Sequence, residues 1–174
     1  MPNSQFETRA ARLAIAPIGR IHTSFKCAKG TPIQGATSND THGFVELFPE
    51  FVSGLQDLEG FERIWLIYLL DRASDVQLIV QPYMDTKDRG VFATRSPARP
   101  NPIGLSTVRL LGVEQNRLLI ADVDMLDGTP LLDIKPYVPA FDCFEHARVG
   151  WYADKSATAV VADNRFEARD SGAE

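Results

Sequence analysis

From Ile18 to Phe25 apolar side chains (Ile18, Ile21, Phe25) are interspersed with polar ones, and the stretch predicts a half-buried strand. GFVELF, after His42, predicts a second strand. Pro49 opens PEFVSGLQDLEG, where Phe51, Leu55 and Leu58 recur at helical spacing before Gly60. Proline at the start and glycine at the stop predict one short helix there. FERIWLIYLL is an apolar run rich in aromatic and branched side chains, and its length and flanking turn residues predict a buried central strand. VQLIVQPY and GVFATR predict shorter strands. STVRLLGV and RLLIADVDML, joined at EQN, predict a hairpin. LLDIKPYVP predicts a last strand that Pro136 ends or pushes to an edge.

No helix-length segments separate these strands. Parallel crossovers need a dozen or more residues and usually a helix, so a Rossmann arrangement fits poorly. The expected fold is mainly all-β: a compact antiparallel β-barrel or strongly curved sheet with one or two short helices. From Asp142 the apolar repeats fade. The expected organisation is therefore an N-terminal arm over 1–16, a barrel over 17–142 and an extension over 143–174, with roughly its last eight residues disordered. Trp151 and Tyr152 stand out in that extension, and packing against the barrel or across a subunit boundary is their expected role.

With 174 residues, 44% of them hydrophobic and 24% charged, the chain suits one domain with a real core. It has no apolar run near the roughly 18 residues of a membrane span. Its start lacks a sustained apolar segment after the arginines, so a cytoplasmic protein is expected. Cys27 and Cys143 are too few for a disulfide framework, and His22, His42 and His146 are scattered, so no structural metal is expected. A net charge of -5 argues against a broad nucleic-acid-coating surface. It leaves room for a local patch: Lys87, Arg89, Arg95 and Arg99 face a single acid, Asp88, between positions 87 and 99.

That patch leads into RGVFATRSPARPNPIGLS, Arg89 to Ser106, where three prolines fall within six residues. Proline fixes its own backbone angle and restrains the residue before it, so Arg95, Arg99 and Asn101 sit on a loop with little freedom left to lose on binding. The pattern suits a small polar ligand; it also suits a rigid connection whose arginines face water. A second constellation, DVDMLDGTPLLDIKPY, holds Asp122, Asp124, Asp127 and Asp133 with Lys135 and Tyr137. Its carboxylates could accept hydrogen bonds from hydroxyls or an amino group, and Asp127-Gly128 is a turn signal. TPIQG, Thr31 to Gly35, is a turn with a polar tip. No P-loop, Gly-x-Gly-x-x-Gly or nucleophile elbow occurs.

GVFATRSPARPNPIGLS together with DMLDGTPLLDIKPYVP resembles the TsaA-like family, also called YaeB-like or TrmO-like, and IGRIHTSF, PIQG and LEGFERIWLIYLL extend the likeness over Pro17 to Asp142. The resemblance implies a compact antiparallel barrel, usually dimeric, that binds S-adenosylmethionine and methylates N6 of threonylcarbamoyladenosine beside the tRNA anticodon. It implies Arg95 as a key cofactor residue, with Gln34, Leu105 and the Asp127-Gly128-Thr129 turn in the same pocket. Asp71 and Arg72 join them, Asp71 standing where many relatives have His. The chain is too short to hold the additional C-terminal domain of longer bacterial relatives.

Methyl transfer from a sulfonium asks the protein mainly to hold donor and acceptor close and aligned. Asp133 and Tyr137 are the candidate catalytic groups. Arg89, Arg99, Asn101 and Lys135 are the candidate substrate-binding groups. The competing function is a regulatory or scaffold protein that binds S-adenosylmethionine without methylating tRNA.

Overall fold

The computed structural model describes residues 14–35, 40–155 and 161–167. Most of the expected N-terminal arm, and the expected disordered end beyond 167, lie outside them. Six strands close into a barrel: β1 (Gly19–Thr23), β2 (His42–Leu47), β3 (Arg63–Leu69), β6 (Ile103–Glu114), β7 (Arg117–Ala121) and β8 (Thr129–Pro136). Their order around the wall is β1-β2-β7-β6-β3-β8, with β8 returning to β1 and every neighbouring pair antiparallel. The sequence expectation of an antiparallel barrel therefore holds. Outside the barrel β4 (Ile79–Val80) and β5 (Arg89–Gly90) pair with each other, α1 (Pro139–Asp142) is one helical turn, and the other short elements among the described residues are 3-10 turns. Among the described residues no helix is long and apolar enough to cross a membrane.

Alternation builds the core. Ile64, Leu66 and Tyr68 point inward from β3 while the residues between them are half-buried. Ile21, Val45, Val108, Leu118, Ile120 and Leu131 meet them from the other five strands with no exposed surface. Each such side chain contributes about 1.5–3 kcal/mol relative to leaving it in water. The β6–β7 hairpin turns at Gln115 and Asn116, with Gln115 at a φ of 57° and Asn116 Nδ2 donating to the Leu47 carbonyl at 3.0 Å. Pro136 is the last residue of β8, as its missing N–H requires.

Two expectations change. The segment read as one helix forms two 3-10 turns, Pro49–Leu55 and Leu58–Gly60, of which Leu55 is the buried residue. Asp57, at a φ of 65°, interrupts them, and Ser53, Gly54 and Asp57 are poor helix formers that leave the packing of Leu55 and Leu58 to decide. VQLIVQPY supplies only the two-residue strand β4, GVFATR gives only Gly90 to β5, and Val91–Ala93 is a 3-10 turn. These segments lie off the barrel and have their own small core of Val80, Val91, Ala98 and Phe166, with Tyr83 against it.

Candidate active site

The loops at one end of the barrel enclose a cleft of about 370 Å³, an ordinary size for a small-molecule site. Its walls come from the 28–34 loop, the end of β3 and residues after it, the 94–99 loop, the start of β6, and the 124–129 connection.

The 94–99 loop shows how the sequence makes rigidity. Thr94, Ser96 and Ala98 are buried, so the loop alternates small inward residues with Arg95, Pro97 and Arg99. Thr94 Oγ1 donates to the Val91 carbonyl at 2.9 Å and accepts from Ser96 N–H at 3.2 Å. Ser96 Oγ accepts in turn from Ala98 N–H at 3.3 Å. These bonds satisfy the buried backbone and, with the prolines, leave Arg95 and Arg99 to the cleft. Arg95 Nη1 donates to Gln34 Oε1 at 2.6 Å. Arg72 enters from beyond β3, its Nη2 donating to the Asp127 carbonyl at 2.8 Å and its Nε standing 3.7 Å from Asp71 Oδ1.

The floor is acidic: Asp124, one of the carboxylates of the DVDMLDGTPLLDIKPY run, meets Ser106 and Tyr68 there, two residues that sequence reasoning missed. Asp124 Oδ1 accepts from Ser106 Oγ at 2.8 Å, and Oδ2 accepts from Gly35 N–H at 2.7 Å. Ser106 Oγ lies 3.0 Å from the Tyr68 hydroxyl. Burial pushes the Asp124 carboxyl above its ordinary range, against the lowering effect of Ser106, Gly35 and Arg95. Burial likewise raises the Tyr68 phenol, so it stays protonated. Two glycines permit this floor. A Cβ at Gly104 would fall on the Tyr68 ring, 2.7 Å from Cδ2 and nearer still to other ring atoms, and a Cβ at Gly35 would strike the Asp122 carbonyl. The available signal was a polar group at the inward phase of an apolar alternation, at Tyr68 and Ser106. Asp124 stood in the acidic run but was not singled out.

Of the predicted cofactor residues, Gln34, Asp71, Arg72, Arg95, Leu105 and Thr129 line the cleft together. Asp127 and Gly128 do not. The Asp127 carboxylate turns to the other side, accepting from Lys26 Nζ at 2.6 Å and Thr23 N–H at 3.1 Å, and Lys26 foremost holds its pKa below the ordinary value. Gly128 is bonded through its N–H to the Ile21 carbonyl and through its carbonyl to Arg20. The two residues shape the turn that carries Thr129.

The predicted catalytic pair also lies outside the cleft lining. Tyr68 pairs with Leu131, but Ile67 pairs with Asp133, so β8 carries one extra residue at this point. Such a bulge reverses the phase of everything beyond it. Leu131 faces inward, and Asp133, which simple alternation would put on the same face, turns outward with Lys135 at 2.8 Å. Tyr137 packs edge-on against Trp65 on the outside, ring centroids 5.6 Å apart. Of the predicted substrate residues only Arg99 lines the cleft. Lys135 is taken by Asp133 and Asn101 is exposed on the following turn. Arg89 is held by Asp85 at 2.7 Å and lies 5.3 Å from the Trp151 ring centroid.

The extension supplies part of the wall. Trp151 Nε1 donates to the Ala93 carbonyl at 2.8 Å and stacks on Tyr152, which lines the cleft. This aromatic pair therefore packs on the segment after β5 rather than on the barrel. Residues 161–167 run alongside: Gly30 N–H donates to the Ala162 carbonyl at 2.9 Å, Ser74 N–H to the Phe166 carbonyl at 2.8 Å, and Ala28 N–H to Glu167 Oε1 at 3.4 Å.

Comparison with known proteins agrees with this architecture. The chain is 58% identical over 135 residues to a probable S-adenosyl-L-methionine-binding protein of Pyrococcus abyssi, covering 78% of this chain and 73% of that one. It is 34% identical over 140 residues to a tRNA (adenine(37)-N6)-methyltransferase of Mus musculus, covering 76% of this chain and 32% of the relative. A crystal structure of TrmO from Pseudomonas aeruginosa superposes with a TM-score of 0.68 at 41% identity, covering 80% of this chain and 62% of that one. The chain thus spans less than two thirds of the mouse relative and of the solved structure. Residues 20–143 match the family described as the tRNA-methyltransferase O N-terminal domain, and the chain belongs to that family.

Proposed function

We propose that this protein is an S-adenosylmethionine-dependent methyltransferase acting on N6 of threonylcarbamoyladenosine next to the tRNA anticodon. The observation that carries the reading is a cleft with guanidinium groups on its loops and a part-buried carboxylate on its floor, within the segment matching the family. The residues present fit the cofactor. Arg95 and Arg72 suit its carboxylate end. Ile33, Leu105, Met125 and Leu126 offer apolar wall to its adenosine part. When bound, the cofactor supplies an activated methyl carbon on a sulfonium.

The chain's own residues then align the partners and exclude water. Arg95 orients the cofactor from one wall, fixed by its bond to Gln34. Arg99 lines the same cleft without a side-chain hydrogen bond among the described residues, and is the group suited to the carboxylate of a threonylcarbamoyl substituent. That substituent also conjugates N6 with a carbonyl, which makes its N–H easier to lose. With few cations available, tRNA affinity falls with salt along a shallow slope.

The reading implies a cytoplasmic protein, because tRNA is its substrate. It includes a homodimer, supported by the exposed Phe141, Phe144 and Val149 near the chain's extension, and light scattering at micromolar concentration tests that. The function is tested by radiolabelled methyl transfer to tRNA with and without the threonylcarbamoyl group. Labelling confined to the modified tRNA, and reduced by Arg99→Ala without a change in melting, is the expected result. Equal labelling of both overturns the substrate. Cofactor binding with no labelling of either leaves the regulatory function.

A further inference from the structure

We infer that Asp124 is the proton acceptor of the methyl transfer, its carboxylate taking the hydrogen that the acceptor nitrogen loses; the inference rests on the function proposed above.

Three carboxylates line the cleft, and the geometry favours Asp124: Asp71 stands 3.7 Å from Arg72 Nε, and Glu167 accepts from Ala28 N–H at 3.4 Å in the wall formed by the extension, away from the floor. Asp122 sits between Arg63 Nη2 at 2.9 Å and Arg109 Nε at 3.0 Å. Asp127 is paired with Lys26, and Asp85 with Arg89 and Lys155. Asp133 is paired with Lys135 on the outer face. Asp124 lines the cleft and has no salt bridge with a described residue, Arg95 being the cation whose field reaches it. A carboxylate partly withdrawn from water with no salt-bridge partner among the described residues is costly to keep, and such groups concentrate where they act.

Its surroundings hold it as a base must be held. Ser106 has one hydroxyl hydrogen, which goes to Asp124 Oδ1, so the hydrogen between Tyr68 and Ser106 belongs to Tyr68. The order of donation is therefore Tyr68 to Ser106 to Asp124. Gly35 N–H fixes the other oxygen. The four groups come from β3, β6, the 28–35 loop and the 122–128 connection, so the carboxylate plane is set by the whole end of the barrel. The two oxygens together offer about four lone-pair sites, and the donors from Ser106, Gly35 and the residue's own N–H leave acceptor capacity for an incoming hydrogen. Burial that favours the protonated form makes this a better base near neutrality than a solvated carboxylate.

The step balances. The nitrogen's electron pair forms the bond to the methyl carbon, the carbon–sulfur pair leaves with sulfur, and the N–H proton moves to an Asp124 oxygen. The positive charge lost at sulfur reappears as the proton on the carboxylate, which water removes when product departs.

The test compares wild type with Asp124→Asn and Ser106→Ala. It uses calorimetry with S-adenosylhomocysteine, single-turnover transfer to threonylcarbamoylated tRNA across pH, and carbon-13 titration of the aspartate carboxyls. Asp124→Asn is expected to bind the cofactor product within about threefold of wild type. Its transfer is expected to fall by about 100-fold or more. Ser106→Ala removes a bond that favours the ionised form, so both the acid limb of its rate profile and the Asp124 titration move to higher pH. If Asp124→Asn fails to fold, Ser106→Ala carries the test through those two shifts. Parallel loss of cofactor binding and transfer in a folded Asp124→Asn makes Asp124 a cofactor ligand and overturns the inference. Transfer at the wild-type rate in that variant overturns it, as does a Ser106→Ala profile lowered without a shift. A wild type that labels no tRNA overturns the proposed function itself, and the inference with it.

Discussion

Arg95 Nη1 donates to Gln34 Oε1 at 2.6 Å, tying together two cleft loops whose residues stand 61 positions apart in the chain. The bond holds a flexible cation in one place before any ligand arrives, which lowers the entropy lost on binding. Arg95→Ala therefore removes both a charged donor and a brace. A hydrogen bond to a charged group contributes about 1.5–3 kcal/mol. Because Arg95 is exposed, solvent screening puts the expected effect at the low end, about tenfold weaker S-adenosylmethionine binding. Calorimetry showing equal affinity in the two proteins would remove Arg95 from the site.

Gly104→Ala tests the floor. The new methyl group meets the ring of Tyr68, which is buried and tethered to Ser106. Overpacking of this kind costs about 1–3 kcal/mol. Denaturant unfolding should show a lower midpoint, and methyl transfer should fall with it, because the ring cannot move without releasing Ser106. A midpoint equal to wild type would mean that the ring has room to shift.

Phe166→Ala tests the wall built by the extension. Phe166 is 5% exposed and packs edge-on against Tyr83, ring centroids 5.4 Å apart, within the small core beside β4 and β5. Loss of a buried phenylalanine costs about 3–5 kcal/mol, and the low end applies to so small a cluster. The loss should be local. Amide exchange at Ser74, bonded to the Phe166 carbonyl, should quicken by about a hundredfold, while Leu66 in the barrel keeps its protection. Uniform quickening across both would show that the two cores unfold as one.

Asp85 gives the loop before β5 an acid sensitivity. The guanidinium of Arg89 first, then the Lys155 ammonium and the Thr86 N–H, hold its carboxyl well below the usual carboxylate range. A folded pKa below the unfolded one gives stability that is present above the unfolded value of 3.8 and is lost as pH falls toward the folded value. Asp85→Asn should therefore melt below wild type at neutral pH, and the two melting curves should converge on acidification. Parallel curves at all pH values would count against this ion-pair cluster.

Alternation along the chain was enough to assign the barrel. The inward phases of β1, β2, β3, β6 and β7 are local facts, because a strand with one buried face must repeat every two residues. The proline-rich arginine loop was legible too, since Pro97, Pro100 and Pro102 restrain the backbone whatever surrounds them. Where the chain leaves the barrel, local pattern overreached: VQLIVQPY had the composition of a strand but only Ile79 and Val80 found a partner. Tertiary structure alone decided the chemistry of the floor. One extra residue on β8 turned Asp133 outward, a register event that depends on the partner strand and leaves no mark in the spacing. Tyr68, Ser106 and Asp124 met only when β3, β6 and the end of β7 closed the barrel. Phe166 reached the wall from beyond the barrel because hydrophobic attraction is non-directional and requires no sequence period. Periodicity fixes which way a side chain points within its own strand; closure and register fix what it meets.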